Sequence, residues 1–320
     1  MARGKPKIQG PDEGLSPENF QVLNEEFYEG DPADYFMRRL QGLLILSGRP
    51  DAIRTLLSEG VEAGGARIQL RAEAGLGSES TEQDAEGRSR FITADAWLLL
   101  HHASETLLRL YLAHSDDDLC PPLQIARQRL PGAFKEEVKA RFREAASLEH
   151  YAANGRVFYN SPTAEGLTDL DSEGREALLA NVEGLLRLFA DVFLDAESYN
   201  AIKHSMAIRT GHSRFNLTVN GMDMGTTEGP HIEYLGIHKS GERLVWAHKT
   251  KWLNLDLIVA RIYVAHRMIL ALWLAARSRY VGASLEAVPS LGSPTPEELS
   301  RSDSVTWSSM ARDLIYDSPV

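Results

Sequence analysis

The sequence predicts a mainly α protein: a helical bundle that carries a β-hairpin insertion and an additional N-terminal helical region. Two observations lead to this fold class. Apolar residues recur at helical spacing between clear start and stop signals over most of the chain, whereas they alternate as in β-strands only between residues 213 and 250. The 320 residues are 43% hydrophobic and 25% charged, so the chain can bury a sizeable core and does not have the composition of a disordered protein.

Residues 1–74 are predicted to form the N-terminal helical region. A Ser-Pro pair at 16–17 and an Asp-Pro pair at 31–32 each start a helix, because the first residue caps the helix and proline fits its first turn. Gly48 ends the second helix, and Pro50 starts a third.

Residues 75–90 are polar, glycine-rich and acidic, a composition typical of a flexible surface loop. The main domain boundary is therefore predicted there. The bundle is expected over residues 91–283, with the β insertion at 213–250, and a linker with a C-terminal helix is expected over 284–320. That last helix would place three apolar residues on one face: Trp307, Met310 and Leu314.

The centre of the bundle is predicted to be a helix over residues 95–114, which begins after Thr93 and is apolar nearly all round. Its few polar residues, His101, Glu105 and Arg109, are four apart and so form one row along the helix. We interpret Glu105 and Arg109 as a structural polar row.

Five further helices complete the predicted bundle, two between residues 121 and 153 and three after them. Ser172 is expected to cap a helix with an apolar stripe, a second segment continues over residues 196–208, and Asn254 caps a last long helix to about Tyr280. Charged residues interrupt this last helix, so we predict that it lies in the bundle and does not span a membrane. The stripe consists of Leu178, Val182, Leu185, Phe189 and Val192.

The composition limits the classes of function. A protein that coats nucleic acid is expected to have a surface that is basic throughout. The net charge of −11 argues against such a surface. One cysteine, Cys120, excludes an internal disulfide and cysteine-based zinc sites, and the first residues lack the apolar core of a signal peptide. We therefore expect a cytoplasmic protein.

No cofactor and no metal ion is predicted. The chain contains no glycine-rich phosphate loop, no His-Glu-x-x-His motif, no nucleophile elbow and no strand–helix alternation of a dinucleotide-binding domain.

The most informative string of residues is Tyr-Asn-Ala-Ile-Lys-His-Ser at 199–205. On a helix, Asn200 and His204 lie one turn apart on the same face, with Lys203 beside them. Lys203 could bind a phosphate, Asn200 could orient a ribose, and His204 could transfer a proton near neutral pH. The alternative is a polar helix start whose asparagine makes a structural hydrogen bond.

This pattern resembles the HEPN domains over about residues 91–280. The resemblance rests on a long helix with an internal Glu105, a later helix that runs into Asn200 and His204, and a final apolar helix. HEPN domains are compact helical bundles that are often dimeric, and many are metal-independent ribonucleases of toxin–antitoxin, CRISPR and phage-defence systems. Others are inactive binding or scaffold domains. The resemblance thus implies a homodimer and an RNA-directed function.

The chain departs from the family's catalytic motif, in which four to six residues lie between an arginine and the histidine that follows it. The arginine that should precede His204 would lie within residues 197–199, and none is present. A literal match exists at Arg109 and His114, but five residues on a helix turn through about 140°, so the two side chains diverge. Arg209 or Arg214 could supply the missing cation if the chain folds back.

Charge is distributed unevenly. Residues 200–280 contain eleven Lys or Arg against five Asp or Glu, a net of +6, which leaves −17 for the rest of the chain. This basic segment favours RNA or a nucleotide as partner, and three aromatic residues in it could stack on bases. Alternatively, the cations pair with acidic groups of the same chain and the aromatics fill the core. The predicted phosphate- or RNA-binding residues are Arg209, Arg214, Lys249 and Lys251, and the aromatics are Tyr234, Trp246 and Trp252.

A cluster of histidines leaves a metal site open as an alternative. A hairpin turn centred on residues 240–241 would place Glu233 opposite His248, with His231 two residues along on the same face. This trio could hold zinc, or it could be a solvent-facing Glu–His pair beside an apolar face. The clustered histidines are His204, His212, His231, His238 and His248, and the apolar face comprises Leu235, Ile237, Leu244 and Trp246.

Two functions follow from the sequence. The first is an RNA-directed protein that acts as a metal-independent endoribonuclease. In it His204 is the acid and base, Asn200 orients His204 or the ribose, and Lys203 with Arg209 stabilises the phosphate charge. The second is a non-catalytic interaction or ligand-sensing module, which the missing arginine favours.

Overall fold

A computed structural model of the chain describes residues 15–48, 61–63, 66–68, 82–115, 119–128, 131–144, 151–165, 169–204, 209–219, 222–240, 243–285, 288–300 and 309–313. The described residues form a mainly α protein, as predicted, with a four-stranded antiparallel sheet packed on the bundle and a small two-stranded hairpin. The predicted third helix after Pro50 lies outside the described residues.

The helices are α1 (Pro17–Glu29), α2 (Pro32–Gly48), α3 (Glu82–Ser115), α4 (Pro121–Arg127), α5 (Pro131–Lys139), a π-helical turn (Ala140–Glu144), α6 (Tyr151–Tyr159), α7 (Ser172–Leu194), α8 (Ala196–Lys203), α9 (Leu255–Val281) and α10 (Pro296–Ser300). The strands are β1 (Val61–Ala63), β2 (Ala66–Ile68), β3 (Arg209–Val219), β4 (Met222–Ser240), β5 (Arg243–Trp252) and β6 (Ser309–Asp313).

Local capping interactions determine several helix ends. Ser16 makes a reciprocal capping box with Asn19 at the start of α1. The Asn254 side chain accepts a hydrogen bond from the backbone of Leu257 at 3.0 Å and begins α9 as predicted. At α7 the cap is Asp171 and not the predicted Ser172, because the Asp171 carboxylate accepts the backbone N–H of Gly174 at 2.8 Å.

One hydrophobic core joins the helices from both predicted regions. Tyr28 of α1 packs against Trp273 and stacks on Tyr280, both of α9, and Phe36 of α2 belongs to the same buried cluster. The predicted boundary therefore does not separate α1 and α2 from the bundle, because their apolar faces are buried against α3 and α9.

The long helix α3 begins thirteen residues earlier than predicted. Residues 82–90 were expected to belong to the acidic loop, but they form its first turns, whereas residues 75–81 lie outside the described part of the chain. Thr93 is accordingly inside the helix, where its hydroxyl donates to the carbonyl of Ser89 at 2.8 Å, instead of capping it.

The helix α9 is the one helix of the described residues that is long and apolar enough to cross a membrane. Two-thirds of its most apolar stretch is buried against other parts of the protein. This burial is typical of a bundle-core helix, so the structure does not suggest a membrane span.

The sheet has the strand order β3-β4-β5-β6, and all neighbours are antiparallel. Its first strand begins at Arg209. The preceding helix α8 ends at Lys203, whereas the sequence predicted that it continues to residue 208. The predicted insertion at 213–250 is thus a sheet over 209–252, completed by β6. Residues 309–313 form this strand, where the sequence predicted the C-terminal helix; Trp307 and Leu314 lie outside the described residues.

The register between β4 and β5 differs by two residues from the predicted one. Glu233 pairs with Thr250, and His248 pairs with Leu235. A shift of two residues preserves which face each side chain occupies, because side chains alternate with a period of two. The predicted division of the hairpin into two faces is therefore confirmed although the pairs are wrong.

Candidate functional site

The three predicted catalytic residues lie at the C-terminal end of α8, and all three are exposed: Asn200, Lys203 and His204. The backbone N–H of His204 donates to the carbonyl of Asn200 at 3.1 Å and closes the last turn. The Lys203 ammonium lies 5.6 Å from the ring centre of Tyr199. The structure thus presents these residues together on an accessible helix end.

A buried histidine of α3, His101, packs against α8. The His101 ring of α3 stacks on the ring of Tyr199, with 3.8 Å between centroids, and its Nε2–H donates to the carbonyl of Phe193 at 3.2 Å. Burial lowers the pKa of His101 to about 4, so the ring is neutral at physiological pH. His101 therefore positions α8, a role that the predicted polar row on α3 did not specify.

Glu105 and Arg109 form an ion pair one helical turn apart. Arg109 donates to Glu105 at 2.8 Å, and its guanidinium lies 4.0 Å from the ring centre of Phe134. Both partners belong to the local packing of α3 and α5. The literal family match at Arg109 therefore has no free guanidinium for a substrate.

His114, the histidine of the literal Arg109–His114 match, is buried in the protein. His114 Nδ1–H donates to the carbonyl of Leu110 at 2.6 Å, and its Nε2 therefore accepts from the hydroxyl of Tyr28 at 2.5 Å. Burial lowers the pKa of His114 to about 4. Arg109 and His114 do not form a common site.

Two of the predicted phosphate-binding lysines are ion-paired within the chain. Lys249 donates to both carboxylate oxygens of Glu197, and Lys251 donates to Asp195 and lies 4.1 Å from the ring centre of Trp97. Burial lowers the pKa of Lys251. These contacts correct the prediction for Lys249 and Lys251, because strand alternation points both side chains at the acidic start of α8.

We call the sheet face that carries these lysines the inner face; it packs on α3 and α8. On β4 and β5 this face also carries Ile232, Tyr234, Gly236 and Ala247. The opposite side is the outer face, which comprises His231, Glu233, Leu235, Ile237, Trp246, His248, Thr250 and Trp252.

The predicted trio of His231, Glu233 and His248 does come together on the outer face. His231 Nε2 lies 3.1 Å from one oxygen of Glu233, and His248 Nε2 lies 3.6 Å from the other. Glu233 reaches His248 diagonally across the strand pair. Within the described part of the chain, no group of three His, Cys, Asp or Glu has a geometry that could hold a metal ion.

A glycine that the sequence analysis missed makes room for this trio. Gly211 of β3 pairs with His231, and a Cβ atom on Gly211 would lie 2.6 Å from Cε1 of the imidazole. The His231 ring is therefore packed directly over the backbone of Gly211 and beside Trp252. A glycine in a strand is the one signal in the sequence that could have indicated this close approach.

The three aromatic residues that were expected to stack on bases differ in their exposure to solvent. Tyr234 and Trp252 are buried, as the core-filling alternative predicted, whereas Trp246 is 61% exposed. Its cross-strand partner Ile237 and the nearby Leu235 are also exposed, at 53% and 44%. The outer face is thus exposed and apolar around these three residues, whereas His231, Thr250 and Trp252 of the same face are buried.

The two predicted arginines lie on β3. Arg209 pairs with Glu233 in the strand register. Arg214 is exposed, and its Nε lies 3.9 Å from a carboxylate oxygen of Glu228.

A buried polar network, also missed by the sequence analysis, crosses the bundle core. The Tyr111 hydroxyl donates to Asn154 at 2.7 Å, Asn154 donates to Glu183 at 3.1 Å, and Arg187 donates to Glu183 at 2.9 Å. Because each group has a partner and Glu183 is buried, we assign this network a structural role.

No protein-family model, no curated protein and no solved structure matches this chain.

Proposed function

We propose that this protein is a HEPN-like, RNA-directed protein of the cytoplasm. The observation that carries the proposal is the exposure of Asn200, Lys203 and His204 together at the end of α8. These residue types can contact a ribose, a phosphate and a transferable proton, and RNA offers all three within one nucleotide. A homodimer, which the family resemblance implies, is part of the same proposal.

The chemistry that these residues support is a metal-independent transesterification. The 2′-oxygen of the ribose bonds to the adjacent phosphorus, and the bond from phosphorus to the 5′-oxygen breaks, so a 2′,3′-cyclic phosphate forms. His204 takes the proton of the 2′-hydroxyl and returns it to the leaving 5′-oxygen. Lys203 stabilises the charge on the phosphoryl oxygens, and Asn200 orients the ribose.

A second candidate is a module that binds RNA or another ligand without cleaving it. Two observations favour it: residues 197–199 contain no arginine, and Arg109 and His114 are held apart by separate partners. In this case the α8 end would be a contact surface only.

One experiment separates the two candidates. Labelled single-stranded RNA is incubated with the protein in EDTA, beside His204→Ala and Lys203→Ala variants and the control variant Lys135→Ala, which removes an exposed lysine of α5. We expect products with 2′,3′-cyclic phosphate ends from the wild type and the control, and none from His204→Ala. Binding without cleavage would support the second candidate. Absence of both binding and cleavage would contradict an RNA-directed role.

A further inference from the structure

We infer that Tyr199 is a positioning residue of the α8 site: its ring, backed by His101, holds the ammonium of Lys203 in place for a phosphate of the RNA. The identity of the ligand rests on the proposed function. The contact among the three side chains does not, because it is present in the structure without any ligand.

The Tyr199 ring lies flat on a fixed support. Its plane is 6° from that of the His101 imidazole, and the two ring centroids are 3.8 Å apart. His101 is only 1% exposed, and its Nε2–H donates to the carbonyl of Phe193, so the imidazole cannot turn without losing that hydrogen bond. The imidazole therefore covers one face of the Tyr199 ring and holds the ring in one orientation.

Lys203 lies on the same side of α8 as this ring. The two residues are four apart, so their side chains are neighbours on the helix surface. The ammonium lies over the Tyr199 ring, 5.6 Å from its centre, which is within the distance of a cation–π interaction. Burial lowers the pKa of His101 to about 4, so the imidazole behind the ring is neutral and does not repel the ammonium.

The neighbouring row of α8 carries the other two proposed site residues. Asn200 and His204 follow Tyr199 and Lys203 by one position each, so the two pairs form adjacent rows along the helix. An ammonium held over Tyr199 is therefore beside the row that contains His204. The contact places the cation next to the groups that are proposed to meet the ribose and to transfer the proton.

A lysine that binds phosphate gains from such a contact. Its ammonium ends a flexible four-carbon chain, and ordering a side chain of this kind on binding lowers the affinity. Lys249 and Lys251 are ordered by ion pairs with Glu197 and Asp195, and these carboxylates neutralise their charge. Lys203 is exposed and contacts the face of a ring, which has no net charge to neutralise it. Tyr199 thus orders the lysine and leaves its charge for an anion.

The first test measures fluorescence anisotropy with the full-length protein in EDTA. The probe is fluorescein-labelled dodecauridylate with 2′-fluoro substituents, which lacks the hydroxyl nucleophile and is not cleaved. Tyr199→Leu should weaken binding about two- to tenfold, which corresponds to about 0.5–1.5 kcal/mol for ordering the lysine on binding. Tyr199→Phe keeps the ring and should bind like the wild type. The matched control is Tyr263→Leu on α9, which removes another exposed tyrosine that stacks on a histidine, His266, and should change the Kd less than about twofold.

A double-mutant cycle tests whether Tyr199 acts through Lys203. If it does, Tyr199→Leu should change the Kd less than about twofold in a Lys203→Ala background, because the lysine to be positioned is absent. A merely structural effect on α8 would be equally large in both backgrounds. The salt dependence gives a second criterion: Lys203→Ala should reduce the slope of log K against log salt by about 0.7, whereas Tyr199→Leu should leave the slope unchanged.

NMR of the protein with isotope-labelled lysine tests the contact without RNA. The ε-methylene signal of Lys203 is identified by its absence in Lys203→Ala. It should lie upfield of the signal of the exposed Lys135, because the Lys203 ammonium is over an aromatic ring. This upfield shift should persist in Tyr199→Phe and be lost in Tyr199→Leu.

The outcomes distinguish this inference from the proposed function. If the wild type binds RNA and Tyr199→Leu binds equally well, or if the effects of Tyr199→Leu and Lys203→Ala are additive, the inference is wrong and the proposed function stands. If the wild type binds no RNA, the proposed function fails, and the Lys203 signal alone decides the inference: a signal unchanged in Tyr199→Leu would overturn it. Thermal unfolding of every variant within a few degrees of the wild type excludes misfolding as the cause, and Tyr199→Met replaces Tyr199→Leu if the latter does not fold.

Discussion

The ammonium group of Lys249 donates to both carboxylate oxygens of Glu197, at 2.8 and 2.7 Å, and so joins β5 to α8. Gly236 on the neighbouring strand leaves space for this pair, because a Cβ there would lie 2.3 Å from the Glu197 carboxylate. The candidate catalytic helix is thus held against the inner face of the sheet. This contact makes the orientation of α8 dependent on the inner face.

Replacing Glu197 with alanine should destabilise the protein by about 1–3 kcal/mol. The side chain of Lys249 is only 17% exposed, and it would lose the carboxylate that compensates its desolvation. Urea unfolding measures the free energy. The control Glu136→Ala, at an exposed position of α5, should stay within about 0.5 kcal/mol of the wild type. Equal stability of both variants would refute the importance of this ion pair.

Gly211→Ala and Gly42→Ala should shift stability in opposite directions. At Gly211 the new methyl group collides with the His231 ring, which costs about 1–3 kcal/mol and displaces the ring from Glu233. At Gly42, inside α2, the methyl group meets no atom within 4 Å, so the higher helix propensity of alanine should add about 0.5–1 kcal/mol. Thermal unfolding checks both values; a stabilised Gly211→Ala variant would be incompatible with the close packing of His231.

Tyr28→Phe should cost about 1–3 kcal/mol. The phenol hydroxyl is the donor to Nε2 of the buried His114, and its removal leaves that nitrogen without its partner in an apolar environment. Tyr35→Phe, at an exposed tyrosine of α2, provides the comparison and should be nearly neutral. Identical unfolding midpoints for the two variants would show that the Tyr28–His114 hydrogen bond does not stabilise the fold.

Stability should fall as the pH falls from about 6.5 to about 4. Burial lowers the pKa of His101 and of His114 to about 4, whereas each titrates near 6.5 when unfolded. Between these values the unfolded chain binds protons that the folded chain does not, so the stabilising contribution is complete above pH 6.5 and is lost as the pH approaches 4. Each histidine contributes up to about 3 kcal/mol. Urea unfolding at several pH values measures the slope, and His114→Gln should reduce it; an unchanged slope would contradict a neutral, buried His114.

Features that depend on neighbours in sequence could be predicted well. The Ser16 and Asn254 caps and the Glu105–Arg109 pair each involve residues three or four apart, where helix geometry alone dictates the contact. The face assignment of the β4–β5 hairpin survived a two-residue error in register because strand side chains alternate.

Features that depend on the tertiary fold could not be predicted. The partners of Lys249 and Lys251 lie more than fifty residues away along the chain, and no local pattern shows that α8 packs under β5. The acidic composition of residues 82–90 suggested a loop, although most of these residues are compatible with a helix and the single Gly87 costs only about 1 kcal/mol there. Residues 309–313 form a strand because they pair with the edge of β5. The sequence of residues 309–313 alone does not indicate that this edge is available.

The most direct test of an RNA-directed role is the equilibrium binding of labelled single-stranded RNA to the wild-type protein at two salt concentrations, about 50 and 200 mM, in EDTA. We expect saturable binding that weakens at the higher salt concentration, because cations of the protein replace counterions on the phosphates. No change in anisotropy up to about 100 µM protein, the weak end of ordinary nonspecific nucleic-acid binding, would contradict the proposal.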